Sequence, residues 1–418
     1  MTTIGDQTPE NPEDRPGEGQ YVDPLTLERK DLAPLQAGEP GSLEAIEATS
    51  AVSTSQEEER ISFASNWTLV WWRFRKNKLA VISAVALIFL FSIVLVPDFY
   101  AINDPEETDA RLAFIPPQRI NWFDEGRFKP WVPGVTGKRD PVTLKMVWTV
   151  DDSKKIYVTF FTSGYSYTIL GLFETDLHLI GAVDPEQAVQ IYLLGTDRLG
   201  RDQWSRLAFA TRTSMTIGMA SVILSVILGL VLGGISGYFG GVPDLIIQRL
   251  IELLQSLPTI PIWLALTAAL PRTWSPEQVF FAITIILALR GWTTLGREVR
   301  SRFLSLREED FVLAAELAGC SRPRIIGVHM IPTFTSHIIA TSTLAIPVMI
   351  VTETSLSFLG LGLRPPAISW GVMLQEAQNI QTLALAPWLL IPGLWVIVAV
   401  LAFNLVGDGL RDAADPYG

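Results

Sequence analysis

REVRSRFLSLREEDFVLAAELAGCSRPRIIGVHMIP, residues 297–332, is the most charged stretch in a part of the chain that is otherwise largely apolar. Six arginines (297, 300, 302, 307, 322 and 324) and five acids (Glu298, Glu308, Glu309, Asp310 and Glu316) stand between two apolar runs that are each long enough to cross a bilayer. A polar, helix-prone loop held in that position has the character of a docking element at a membrane surface. Glu308 to Ala318 suits a helix. Acids in its first turn favour the positive end of the helix dipole, and Phe311, Val312, Ala315, Leu317 and Ala318 supply apolar contacts. Gly319 follows as a helix stop, and Ser321 with Pro323 restarts the chain as a capped second helix. Ala314, Ala315 and Ala318 are then expected on the exposed side, where small residues let a partner approach closely.

Composition points the same way. Of 418 residues, 49% are hydrophobic and only 18% charged, against about 25% charged in a typical soluble chain. The net charge of −11 is uneven: residues 1–60 hold fourteen acids and four basic residues, and the remainder is close to neutral. Nothing supplies the basic patch that a nucleic-acid partner needs. The lone cysteine, Cys320, excludes an intrachain disulfide, and His178, His329 and His337 are too scattered for a metal site. Residues 1–60, rich in Pro, Glu, Gly and Ser without apolar periodicity, are expected to be a disordered acidic tail. They lack the basic start and short apolar core of a signal peptide.

Residues 63–97 read as an interfacial helix followed by a first transmembrane helix. Trp67, Trp71, Trp72 and Phe74 mix with Arg73, Arg75, Lys76 and Lys78, a pairing suited to the headgroup level. Leu79 to Pro97 is then uncharged and spans the ~30 Å hydrocarbon core at 1.5 Å per residue. The basic cluster places the N-terminus in the cytoplasm. Residues 98–190 are polar, aromatic and proline-rich, and are expected to form a small, partly β domain outside the membrane. Val142–Val150 and Ile156–Phe161 read as two strands of a hairpin turning at Asp151–Lys155.

Five more spans are expected, at about 213–238, 245–270, 278–296, 334–354 and 388–405. Gly229, Gly233 and Gly237 leave one face of the second span almost without side chains, a helix-packing signal. Pro258 and Pro261 are expected to kink the third. Arg290 in the fourth either snorkels to the interface or faces a polar interior. Glu353, near the outer end of the fifth, either faces a water-filled cavity or has left the hydrocarbon, with a gate or packing role. The fold class is therefore an all-α polytopic membrane protein with six transmembrane helices, a partly β extracytoplasmic insert and a disordered cytoplasmic tail. Parity puts residues 297–332 and the C-terminus in the cytoplasm, and the six arginines of the loop agree. Arg198, Arg201, Arg206 and Arg212 on the outer side are discordant; Asp197 and Asp202 are their candidate partners.

The run LAAELAG followed by HMIP resembles the cytoplasmic coupling motif of ABC importer permeases, with Ala314, Ala315, Gly319 and Pro332 matching. Leu313 stands where glutamate is usual, His329 where isoleucine is usual, and Ile331 replaces leucine. Gly195-Thr196-Asp197-Arg198-Leu199-Gly200-Arg201-Asp202 is similar to the signature before the second span in the C-type permease of dipeptide, oligopeptide and nickel importers. Glu353–Gly362, Ser369-Trp370-Gly371 and Asn404–Asp412 resemble the same family's C-terminal half, so the likeness runs from about Asn66 to Pro416, with five of the transmembrane helices in a permease core at 195–412. It implies a subunit that pairs with a B-type permease, two cytoplasmic ATPase subunits and an external solute-binding protein, in a prokaryotic plasma membrane. ATP and magnesium would be bound by the ATPases, with no cofactor, metal or catalytic residue here. Glu308, Phe311, Ala314, Ala315, Glu316, Gly319 and Pro332, in coupling helices at 307–332, would then carry the ATPase coupling. The residues alone agree that no phosphate-cradling GxxxxGK[ST] run is present. A secondary transporter, with Glu353 and Arg290 as its charged candidates, and a membrane receptor or scaffold centred on 98–190 are the rival readings.

Overall fold

The structure, a computed structural model, describes residues 66–139, 141, 146–169, 171–184, 190–379 and 384–414; the acidic segment 1–60 lies outside them. The chain begins with α1 (Asn66–Lys76) and α2 (Lys78–Leu95). They meet at Asn77, whose side chain accepts the Ala80 N–H at 3.1 Å and so caps α2. Ala80, Ser83, Leu87 and Leu90 of α2 turn inward, while Leu79, Ile82, Val85 and Ile88 remain exposed. An apolar outer face of that kind is what lipid requires.

Between α2 and the next long helix lies a four-stranded antiparallel sheet, β1 (Asn121–Asp124), β2 (Arg127–Arg139), β3 (Met146–Ile169) and β4 (Phe173–Ala182), in the order β1-β2-β3-β4. Glu125 and Gly126, at φ 48° and 78°, make the tight turn between β1 and β2. The hairpin expected at Asp151–Lys155 is corrected: β3 runs straight through it. Pro133 faces Lys155 while the next residue, Gly134, faces Asp151, so the intervening residues bulge out of the ladder. Asp151 stabilises the bulge by accepting the Ser153 N–H at 3.1 Å and its hydroxyl at 2.5 Å. The core under the sheet is aliphatic, built from Ile102, Val132, Ile156, Val158, Ala182 and Ile191. Trp122, Phe123 and Phe128 stay on the surface, packed on one another.

The remaining helices are α3 (Gln203–Phe239), α4 (Gly241–Ser256), α5 (Thr259–Ala268), α6 (Pro276–Leu306), α7 (Asp310–Leu317), α8 (Thr335–Phe358), α9 (Trp370–Glu376) and α10 (Ile391–Ala414). Among the described residues five helices are long and apolar enough to cross a membrane, or six if the bent pair α4–α5 is one span. That pair turns by 90°. In an unbroken helix the Leu254 carbonyl would accept from residue 258, and Pro258 has no N–H to give. Arg290 Nη1 supplies the missing donor from α6. Arg290 is thereby tied to the break between α4 and α5 and turned into the bundle.

α6 is longer than the span expected at 278–296. Ser275 and Gln278 form a capping box at its start, with Pro276 in the first turn. Its 31 residues rise ~46 Å, well beyond the ~30 Å hydrocarbon. The excess stays helical because Val299 and Phe303, one turn apart, are buried with no exposure. The first ten residues of the charged stretch are therefore helix continuing out of the apolar region. Here α3 and α6 touch almost backbone to backbone. A Cβ on Gly233 would sit 2.5 Å from the Gly296 carbonyl oxygen, and one on Gly237 would sit 2.7 Å from that of Arg300. At Gly229 the obstacle is only the Leu295 side chain, at 3.1 Å.

Gly233→Ala should therefore lower the stability of the detergent-solubilised protein by ~1–3 kcal/mol through overpacking, and Gly229→Ala by clearly less. Thermal unfolding of the two variants side by side reads the difference; equal midpoints would show that the helices do not meet there.

Candidate functional site

At the end of the bundle where α6 leaves the apolar region, the chain folds into a short helix and a turn. Helix α7 is shorter than the expected 308–318, because Glu309 holds an extended backbone (φ −77°, ψ 145°) and only Asp310 lies in the first turn. Its far end is closed by Gly319 at φ +77°. The Gly319 N–H donates to the Glu316 carbonyl at 2.9 Å and the Cys320 N–H to that of Ala315 at 3.1 Å, the paired bonds of a Schellman stop. A side chain at Gly319 would meet open space, with nothing within 4 Å. The requirement for glycine is thus purely one of backbone conformation.

Val312 and Ala315 turn inward onto Phe303, Ile325, Met330, Phe334 and Ile338. Ala315, expected on the exposed face, is corrected: residues 312 and 315 share the inner face of a 3.6-residue helix. Phe311, Leu313, Ala314, Leu317 and Ala318 face outward, with Leu317 90% exposed. Glu308 is exposed beside Arg307, and Glu316 accepts the Tyr238 hydroxyl at 2.7 Å, tying α7 to the end of α3. Ser321 occupies the turn but makes no side-chain cap, another departure from expectation. The chain returns to α8 through Arg322–Arg324, a π-helical turn at Ile325–Met330 and a 3₁₀ turn at Ile331–Phe334, where Pro332 lies exposed. Beneath this unit Arg300 of α6 grips Asp244 of α4 with two bonds, of 2.5 and 2.7 Å. Asp244 also accepts the Ser236 hydroxyl at 2.5 Å.

The signature residues gather at the opposite end of α3. Thr196 Oγ1 donates to the Leu112 carbonyl at 2.6 Å and accepts the Ile115 N–H at 2.8 Å. Gly195 and Gly200 turn the loop at φ +75° and +78°, and Asp197 accepts the backbone N–H groups of Leu199 and Arg201 at 2.8 and 3.0 Å. Its second oxygen takes Arg201 Nε at 2.7 Å. Asp202 pairs with no arginine among the described residues. It caps α3 instead, accepting the Ser205 N–H at 3.0 Å and its hydroxyl at 2.5 Å. Burial pushes its carboxyl up to about 6, against the pull of those hydrogen bonds.

Sequence reasoning missed the other half of this cluster. Glu376 of α9 receives Arg201 Nη2 at 3.0 Å on both oxygens and Arg206 Nη2 at 3.3 and 3.2 Å. Arg206 is 1% exposed, which accounts for one of the discordant arginines: it is paired inside the protein. Residue 376 lies in what reads as a connecting loop, 170 positions away, so no local pattern links them.

Glu353 is also fully buried, so it does not face a water-filled cavity. It accepts the Ser357 hydroxyl at 2.8 Å, and the Ser214, Ser369 and Thr354 hydroxyls reach it as well. Ser214 in turn accepts the Trp370 N–H at 3.1 Å, so this carboxyl joins α3, α8 and the start of α9. The structure therefore brings the residues expected to couple to an ATPase together at one end, the signature residues at the other, and sets Gly229, Gly233 and Gly237 along the helix between them.

Glu376→Ala would leave Arg201 and Arg206 buried with Asp197 as their remaining acidic partner among the described residues. A loss of ~3–5 kcal/mol is expected, as for other broken buried ion pairs; an unchanged unfolding midpoint in detergent would contradict the network.

Known proteins match these regions. The family described as binding-protein-dependent transport system inner membrane component matches residues 225–417, and the N-terminal TM domain of oligopeptide transport permease C matches residues 65–117. The oligopeptide transport system permease protein OppC of Bacillus subtilis is 35% identical over 223 residues, 53% of this chain and 70% of that protein. The dipeptide transport system permease protein DppC of Alkalihalophilus pseudofirmus is 39% identical over 223 residues, 53% of this chain and 71% of that one. DppC of Lactococcus lactis is 31% identical over 352 residues, 83% of this chain and 89% of its own. With likeness that extends from the first apolar helix through the last, the chain belongs to the family of ABC transporter permeases, as a C-type subunit of the peptide permease branch.

Proposed function

We propose that this chain is one of two membrane subunits of an ATP-driven importer that moves peptides, or a related small solute, delivered by an external solute-binding protein. Its relatives bear the names of oligopeptide and dipeptide transport permeases. Membership of the family makes it a transport subunit and not an enzyme; ATP and magnesium belong to two partner ATPases, and a B-type permease supplies the other half of the path. The single observation that carries the mechanism is the outward crest of α7. Leu313, Ala314 and Leu317 form an apolar, exposed ridge, on a helix locked at Gly319 and seated on a rigid extension of α6. Leu313 stands where relatives of the motif carry glutamate, so contact with the ATPase at that point is apolar. Closure of the ATPases pushes the ridge, α6 and α8 carry the displacement into the bundle, and the path switches between inward- and outward-open states.

This reading places α7 and both termini in the cytoplasm of a prokaryotic cell, and the sheet and signature loop outside the plasma membrane. Trp122, Phe123 and Phe128, 46%, 66% and 64% exposed, then form a surface for the solute-binding protein at the outer mouth. Glu353, among its hydroxyls, is assigned to helix packing near that mouth. The tests use the reconstituted importer. Removing the phosphate-binding lysine of the ATPase partners should abolish uptake, and unchanged uptake would mean a secondary transporter. Gly319→Val should leave the complex assembled while cutting uptake at least tenfold; full transport would remove α7 from the coupling path. Trimming the three aromatics to alanine should weaken binding-protein docking, and intact docking would leave the sheet without that role.

A further inference from the structure

α3, the broken pair α4–α5, α6 and α8 line a half-open cavity of about 390 Å³. Its wall is mostly apolar, and Trp263 within it, 9% exposed, has an indole N–H without a protein acceptor among the described residues. Two charged side chains line the wall, Arg290 and Glu298. Arg290 is held in place by the Leu254 carbonyl that Pro258 leaves unpaired. That bond engages Nη1 and makes no ion pair; among the described residues Arg290 has no acidic partner. Glu298 is occupied by His337, at 3.1 Å. The two charges lie eight positions apart on one helix, ~12 Å at 1.5 Å per residue.

A guanidinium held in place with no acidic partner among the described residues, facing a largely apolar cavity within the membrane-spanning bundle, favours an anion that fits its fork. Proline-broken helices are where membrane transporters build solute sites, since the freed backbone groups can then be satisfied around a cavity. The helix rises ~12 Å between the two positions, of the order of the extended length of a peptide of three to four residues. We infer that this cavity is a solute-contact site and that Arg290 takes the terminal carboxylate of a peptide in transit, its ammonium end lying towards Glu298. The inference rests on the importer reading and adds to it a specificity-determining residue in this subunit. No covalent step is involved.

The test compares trialanine with its C-terminal amide in proteoliposomes holding the complete importer and its binding protein. Each initial rate is divided by the measured occupancy of the binding protein, which removes selection made before the membrane. Wild type should move the free acid about tenfold faster than the amide, the discrimination that one charge-assisted hydrogen bond supplies. Arg290→Gln should erase that preference by slowing the acid alone. Equal wild-type rates overturn the proposal, and so does a variant that slows both peptides equally, since Arg290 would then only cap the break in α4–α5. If Arg290→Gln does not assemble, the wild-type comparison still decides, and Arg290→Lys, which keeps charge but loses the fork, should show an intermediate preference. Absence of ATP-driven uptake of either peptide by wild type is a separate failure, that of the importer reading itself.

Discussion

The contact between α3 and α6 sets the terms for everything else in this protein. In lipid, helices gain little from hiding apolar surface from one another, so association relies on close packing. Gly233 and Gly237 permit it: at each, even one added carbon would meet α6 backbone at under 3 Å. α6 is thereby fixed along much of its length. It is also the helix that carries Arg290 into the cavity, Arg300 to Asp244, and Phe303 under α7. One rigid rod therefore joins the interior of the bundle to the exposed ridge at its end.

Among the described residues, the fully buried charged groups of the bundle gather towards one end. Two arginines meet Asp197 and Glu376 at one end of α3, and Glu353 lies in a nest of hydroxyls close by. Asp244, Ser236 and Arg300 lie at the other end. Buried ion pairs add little net stability over apolar packing but are costly to break singly. Their value is in fixing which helices meet and in what register. Between these two pinned ends lies the 90° break of α4–α5, beside which the cavity opens. Pinned ends and a broken middle suit a bundle that shifts between two arrangements as nearly rigid parts.

Much of this was legible in the sequence where one local rule dominates. Apolar length marked the long helices, Pro258 marked the break, the spacing of Gly229, Gly233 and Gly237 pointed to a face without side chains, and Gly319 read as a helix stop because few other residues take φ +77°. What escaped depended on distant partners. Polarity alone made Arg297–Leu306 look like loop, yet Val299 and Phe303 keep it helical by packing. Five polar residues at 151–155 looked like a turn, but a bulge against Pro133 and Gly134 absorbs them. Arg290 was ambiguous until the Leu254 carbonyl was found to need a donor, and Arg206 until Glu376 came beside it. Ala315 was grouped with Ala314 and Ala318 as a small residue suited to close approach, whereas helix geometry separates the faces of residues 314 and 315 by about 100°.

The central claim is that α7 meets an ATPase subunit through the ridge that ends at Leu317. The most direct measurement is site-specific cross-linking in the assembled importer, with Leu317→Cys in a Cys320→Ser background and a short bifunctional maleimide. The account predicts a product of this chain with the ATPase subunit, whose yield changes between the nucleotide-free and ATP-trapped complexes. A product with the other permease alone, or none in either state, would contradict it.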